Sequence, residues 1–396
     1  MYDAIVVGAR CAGAPAAMLL ARAGHRVLLL DRSAFGTDVL STHLVHQPGV
    51  AALARWGLLD AVRATGCPPL AHVRYEVTGT DVRLEGSARG VEGQRAAYAP
   101  RRRALDPVLV RAAVADGVEY RDRCTVTGLL RDDAGRVVGV EGRHAGRVFT
   151  ERARLVIGAD GMRSTVAGLA GAPYTVEDRR LTCAYYTYWT DVPVTMESYE
   201  RAGAWVSAVA TNDGATLVLA YFPQSRFDEV RADAYTAYLE QIRATAPELY
   251  ERLRGRQPVE RLRGTGDQQN FFRQATGPGW VLVGDSGHHK DSITARGISD
   301  GFQQAESLVQ HTGPVLGEAP ERLDDALRRF AEDRDRALAP GYEATLSVAR
   351  LEPNEQRLSL LRAVQTDPEL TSIYFDMAAG IGSAQALYTP KLLSLL

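Results

Sequence analysis

Two short stretches of this sequence combine residue types and spacings that can do chemistry. The first is Gly8-Ala9-Arg10-Cys11-Ala12-Gly13, set between an apolar run at 2–7 and a helical pattern at 14–23. Gly8 permits a tight turn after a strand, and Gly13 lets the following helix pack closely on the sheet. The start of that helix offers free backbone N–H groups and a partial positive charge, a seat for a pyrophosphate. Asp31 ends the next apolar run, Arg26–Leu30, where its carboxylate is placed to accept hydrogen bonds from ribose hydroxyls. Arg10 stands where a second glycine is usual, and its cation is a candidate to face the phosphates. Strand, turn, helix and acidic residue together read as a dinucleotide site.

The second stretch is Trp280–Gly301, WVLVGDSGHHKDSITARGISDG. A buried strand delivers Gly284 and Asp285 at its carboxyl end, where open α/β sheets bind ligands. Asp285 can accept from sugar-like hydroxyls, and Gly297 with Ile298 opens a helix whose N-terminus favours negative charge. His288, His289 and Lys290 cluster here, but no third ligand stands at metal-binding spacing, so no metal site is expected. His43 is a further candidate, two residues after Ser41. Neither a Ser-His-Asp arrangement nor a G-x-S-x-G elbow occurs, which argues against hydrolase chemistry.

The elements that must position these residues follow from periodicity. The spacing predicts a βαβ unit at the start, helical stretches over 44–61 (broken at Gly57) and 106–115, and short strands over 73–85, 94–99 and 118–120. A hairpin is expected over 124–141 around Asp132–Gly135, then an apolar strand at 154–157. After about 180 the composition turns β-rich, opening on Tyr185, Tyr186, Tyr188 and Trp189. Alternate side chains there should be core, and the others candidates to line a pocket. A polar helix follows near 228–246, and the tail from Leu323 reads as helical. Arg101 and Arg102 are expected on a solvated face.

The bulk numbers narrow the class. The 396 residues suggest two or three domains, and the net charge of -2 makes no electrostatic case for nucleic acid or an anionic membrane. Cys11, Cys67, Cys124 and Cys183 form no CxxC pair and read as buried thiols. With no apolar run of membrane-spanning length and no leader-like start, the expected location is cytoplasmic.

In three ordered motifs the chain resembles the group A flavoprotein monooxygenases and their geranylgeranyl-reductase-like relatives. These are the turn ending in Gly13 with Asp31-Arg32, the middle Gly158-Ala159-Asp160-Gly161 with Arg163-Ser164, and Gly284-Asp285 with His288 and Gly297. The resemblance covers about 1–310. It implies an α/β (α+β overall) architecture: a Rossmann-like FAD-binding domain over 1–72, 101–180 and 271–320. An antiparallel β-sheet substrate domain, 73–100 and 181–270, interrupts it, and a helical C-terminal segment, 321–396, ends the chain.

Carried over by position, Gly8, Arg10, Ala12, Gly13, Asp31 and Arg32 would hold the ADP part of FAD. Arg103 would reach the diphosphate and ribityl region, Val126 would bracket the adenine, and Asp285 would bind the ribityl chain. Gly297 and Ile298 would face the pyrimidine edge. Asp160 would either touch the cofactor or cap the turn after its strand. His43, His288 and Lys290 are the candidate catalytic residues; Lys290 would stabilise reduced flavin or bind an acidic substrate.

The implied activity is oxygen transfer from a flavin C4a-hydroperoxide to a small organic substrate, with NAD(P)H as transient donor and O2 as co-substrate. The alternative is a reductase or dehydrogenase on the same fold. A halogenase is the remaining option, but related halogenases use an early lysine and a WxWxIP segment; the lysines here are Lys290 and Lys391, and that segment does not occur. The family's late motif usually has proline where Ser292 stands. A monomer or homodimer is expected.

Overall fold

The first strand shows why the chain folds as it does. β1 (Tyr2–Val7) is apolar on both faces, so it is stable only in the middle of a sheet covered on each side. The computed structural model, which describes residues 1–396, places it there. The strand order is Thr276–Gly277, Trp280–Leu282, Arg147–Gly158, β1, Val27–Leu30 and Glu119–Arg121. All neighbours are parallel except the first pair. The turn at 8–12 leads into α1 (Gly13–Arg22), with Pro15 in its first turn, where a missing N–H costs nothing.

Helices Gly297–Thr312 and Arg102–Ala115 pack against α1, and Leu105, Leu109, Phe302 and Leu308 join Met18 and Leu20 in one core. The sheet's other face is covered by the hairpin Cys124–Arg131 and Val137–His144 and by helix Thr165–Ala170. Strand Arg147–Gly158 serves both layers. Its first half pairs antiparallel with Val137–His144 and its second half parallel with β1.

A second, seven-stranded sheet is ordered Arg263–Thr265, Thr182–Thr190, Ala215–Pro223, Ala204–Ala210, Met196–Arg201, Val73–Val77 and Arg83–Gly86. It is antiparallel except for Met196–Arg201 beside Val73–Val77, which run parallel. In strand Thr182–Thr190 the pleat divides the aromatic residues as alternation requires. Tyr185 and Trp189 pack on helices Ala234–Thr245 and Pro247–Leu253. Tyr186 and Tyr188 face the opposite way, into a core shared with helices Glu355–Gln365 and Pro368–Ala379. The tail therefore covers the face of this sheet that also carries Leu219 and Tyr221.

Several expectations shift. The 44–61 stretch is helix Gln47–Arg55 and helix Leu59–Arg63, separated at Gly57, whose φ of +75° is left-handed. The 94–99 strand shortens to Ala97–Tyr98 and pairs with Pro69–Leu70 outside the large sheet. The helix expected at 106 begins a turn earlier, at Arg102. Asn212 accepts the Arg101 N–H at 2.8 Å, and the Arg102–Asp106 ion pair spans the added turn, so Pro107 lies inside the helix. No helix is long and apolar enough to cross a membrane.

Candidate active site

The site is one cavity of about 720 Å³ where the parallel sheet, the start of helix Gly297–Thr312 and the inner face of the large sheet meet. At its first end, β1 stops and Gly8 turns with φ +104°; a Cβ there would overlap the carbonyl of Ala159. A Cβ on Gly13 would overlap the carbonyl of Gly8. Both glycines are thus required by close backbone approach, and the approach leaves the α1 N-terminus open to a ligand. Asp31 is held by the backbone: its two oxygens accept the N–H groups of Ala9 (2.8 Å) and Ser33 (2.7 Å). Asp31, Arg32, Ala12 and Val126 line the cavity.

The arginines are placed differently from the sequence expectation. Arg103 is half exposed and pairs with Asp213 on the surface, outside the cavity. Arg102 lines the cavity instead, bonded to Asp106 at 2.7 and 3.1 Å and close to Asp285. Arg101 is buried rather than solvated; it pairs with Asp38 and Glu260 and lies 4.1 Å over the ring of Tyr188. One residue of helix rotates a side chain by about 100°, so starting the helix at Arg102 turns Arg103 outward. Arg10 lines the cavity, but its guanidinium is bonded to Asp106 at 2.9 Å. Asp160 also borders the cavity, yet both its oxygens serve helix Thr165–Ala170. They accept the hydroxyl of Ser164 and the N–H groups of Thr165 (2.7 Å) and Val166 (3.1 Å).

At the second end, Gly284 takes φ +62° and Asp285 stands exposed at the strand's carboxyl end. Gly297 and Ile298 border the cavity at the start of their helix. The nearest atom to a Cβ on Gly297 would be an Asp285 oxygen at 3.9 Å, so the space in front of it is open. Lys290 is not a free cation: it is buried and ion-paired with Asp300 in the helix's first turn. His288 is buried against Phe272 and Tyr342, and its Nε2 has no partner. Burial first, then the charges of Lys290 and Arg334, holds it well below the ordinary histidine range, so it stays neutral.

His43 does not border the cavity. It is fully buried with φ +62°, and its Nε2 lies 2.5 Å from the hydroxyl of Tyr188. Burial, reinforced by Arg102 and Arg101 and opposed by Asp38, lowers its pKa to about 3.

The third wall was not assigned from the sequence. Tyr186, Leu219 and Tyr221 come from the large sheet, Ser41 and Leu40 from the loop before His43, and Gln268, Asp291 and Ser292 from two further segments. The alternation of aromatic residues at 185–189 was the one signal for it. These residues form a hydrophobic wall studded with hydroxyls, suited to a small organic ligand.

Residues 1–339 match the FAD binding domain family. The chain belongs to that family. The cavity fits the cofactor, with two glycines at which side chains would overlap backbone, a dinucleotide-type helix N-terminus, and an open second helix start. The chain is 26% identical over 377 residues to the digeranylgeranylglycerophospholipid reductase of Methanocella arvoryzae, covering 90% of each. It is 28% identical over 333 residues to the 6-methylpretetramide 4-monooxygenase of Streptomyces rimosus, covering 81% of this chain and 77% of the relative. Among solved structures, the flavin-dependent brominase Bmp2 superposes with a TM-score of 0.86 at 15% identity, over 99% of this chain and 96% of that one. PqsL of P. aeruginosa in complex with 2-aminobenzoylacetate gives 0.73 at 19%, over 95% and 99%. These likenesses establish the shared fold. The protein is an FAD-dependent oxidoreductase.

Proposed function

We propose that this oxidoreductase is an NAD(P)H-consuming monooxygenase that oxidises a small organic molecule. The observation that carries the reading is the continuity of the cavity, which runs from the dinucleotide turn past helix start Gly297–Ile298 to a closed wall of tyrosines. A redox cofactor laid along it would meet substrate against that wall, whose apolar and aromatic side chains limit the approach of water on that side, as oxygen transfer needs. The cavity offers no second glycine turn for a nicotinamide, in keeping with transient docking of NAD(P)H.

In this reading the backbone at Gly8, Ala12 and Gly13 holds the diphosphate, with Arg102 in the role that the family resemblance implies for Arg103. Arg10 neutralises Asp106 behind it. Asp31 and Arg32 take the adenosine ribose, Val126 brackets the adenine, and Asp285 takes the ribityl hydroxyls. The start of helix Gly297–Thr312 faces the pyrimidine edge and stabilises negative charge there. Bound FAD supplies the two-electron chemistry and the reaction with O2. The Lys290–Asp300 pair contributes orientation rather than net charge. His43 and His288, held neutral by burial, act as positioning groups.

The test uses the purified holoenzyme. One FAD per chain, O2 uptake dependent on NADPH or NADH and stimulated by an aromatic substrate, and one ¹⁸O atom from ¹⁸O2 in the product are expected. A second reading, hydride transfer to a carbon–carbon double bond, draws on the similarity to the Methanocella reductase over 90% of both chains. Anaerobic, NAD(P)H-dependent saturation of an alkene with no label uptake would replace the first reading with the second.

A further inference from the structure

We infer that Tyr221 is a specificity-determining residue whose hydroxyl can only accept a hydrogen bond from a ligand, so that the ligand group facing it must carry an O–H or N–H. This rests on the cavity being the substrate site.

Backbone groups fix the direction of the protons that link Tyr221 to Gln268. The amide of Gln268 has one allowed orientation. Its Nε2 donates to the carbonyl of Thr182 at 3.3 Å, and its Oε1 accepts the backbone N–H of Ser292 at 3.2 Å. A carbonyl cannot donate and an N–H cannot accept, so a flipped amide would lose both bonds. The hydroxyl of Ser292 lies 2.5 Å from the same Oε1, which is an acceptor only, so the single Ser292 proton is committed there. Tyr221 Oη lies 3.1 Å from Ser292 Oγ and must therefore be the donor of that bond.

The far end of the chain agrees. Gln268 Nε2 also donates to Thr182 Oγ1 at 2.9 Å, and Thr182 donates its own proton to Asp291 at 2.7 Å. Donation thus runs one way, from Tyr221 through Ser292, Gln268 and Thr182 to the carboxylate. Thr182, Tyr221, Gln268 and Asp291 are each at least nine-tenths buried, and Ser292 between them is half-buried, so water is kept from the bonds that join Gln268, Thr182 and Asp291. The single proton of Tyr221, a residue that lines the cavity, is spent inside the wall, and its oxygen has only lone pairs left to offer a ligand. Burial raises its pKa further above the ordinary phenol range, so the phenol keeps that proton.

The experiment uses FAD-loaded enzyme and two probes of nearly equal shape, 2-naphthol and 2-methoxynaphthalene, with binding followed by perturbation of the flavin absorbance. The wild type is expected to favour the naphthol by about tenfold, the cost of leaving a buried acceptor unpaired. Ser292→Ala frees the Tyr221 proton to point into the cavity. It should bring the ratio close to one, mainly by tighter ether binding. Tyr221→Phe should bring it close to one by weaker naphthol binding alone. FAD content reports folding of each variant, with Ser292→Gly as the replacement should the alanine variant lose FAD. A wild-type ratio near one, neither probe binding included, or an unchanged ratio in Ser292→Ala overturns the inference. Selectivity that holds while ¹⁸O labelling fails removes the monooxygenase reading and leaves this one standing.

Discussion

The two ends of the cavity are built on different principles. The dinucleotide end is made of backbone: a glycine turn, a helix start, and an aspartate held by two main-chain N–H groups within its own βαβ unit. The tyrosine wall is made of side chains from five separated segments, joined by hydrogen bonds among Thr182, Tyr221, Gln268, Asp291 and Ser292. A backbone site tolerates almost any residue that fits and fails when a Cβ intrudes. A side-chain site tolerates small changes in fold and answers to single atoms. The first suits a cofactor shared by a whole family, the second a substrate particular to one member.

The comparison breaks most visibly at the glycines. Gly8→Ala and Gly13→Ala should each give protein that purifies without FAD, read as loss of flavin absorbance. At Gly8 the positive φ adds about 1–3 kcal/mol of strain to the overlap with Ala159. Next come the arginines. Arg102→Met leaves Asp106 sharing only Arg10, and should cost about 3 kcal/mol in denaturant unfolding with at least tenfold weaker FAD binding. Arg103→Met removes a surface pair and should change stability by less than about 0.5 kcal/mol. Equal losses in the two variants would return the role to Arg103.

A pH series separates backbone-held from side-chain-held groups. His46 is buried, its Nε2 donates to the carbonyl of Thr294, and desolvation lowers its pKa to about 4. The unfolded chain then binds a proton that the folded one refuses. Stability is complete above about 6.5 and falls by about 3 kcal/mol as the pH drops toward 4. His43 acts in the same direction. Asp291 acts in the opposite one, because burial raises its carboxyl to about 6 and folding favours its protonated form as the pH falls from 6 to 3.8. His46→Gln should flatten the acid limb of the stability curve and Asp291→Asn should steepen it. A parallel shift of both curves would show that other groups control it. At Asp285, exposed beside the cavity, the effect is expected on the ligand alone. Asp285→Asn should weaken FAD binding about tenfold with an unchanged unfolding midpoint, since its partner is the ligand rather than the fold.

How much was legible follows from the same division. Gly8, Gly13, Asp31 and Gly297 could be read from order alone because their work is done by local geometry: a turn, a close approach, a strand end, a helix start. Asp160 was half legible; its place after a strand was clear, but only the structure showed both oxygens occupied in capping the next helix. The choice among Arg101, Arg102 and Arg103 was out of reach, because each residue of helix turns the side chain by about 100° and the helix begins one turn before the periodicity suggests. Lys290 looked like a free cation because Asp300, its partner, lies across a loop whose path the sequence does not state.

By itself, then, the sequence determined the strand–turn–helix geometry at one end of the cavity, since short-range backbone chemistry needs only neighbours along the chain. The tertiary structure alone decided the wall opposite. Tyr221 meets Ser292, and Tyr186 stands across from Leu219, through strand register and the docking of one sheet against another. No spacing along the chain encodes which proton Tyr221 keeps; that direction exists only once Gln268 is pinned between the backbones of Thr182 and Ser292.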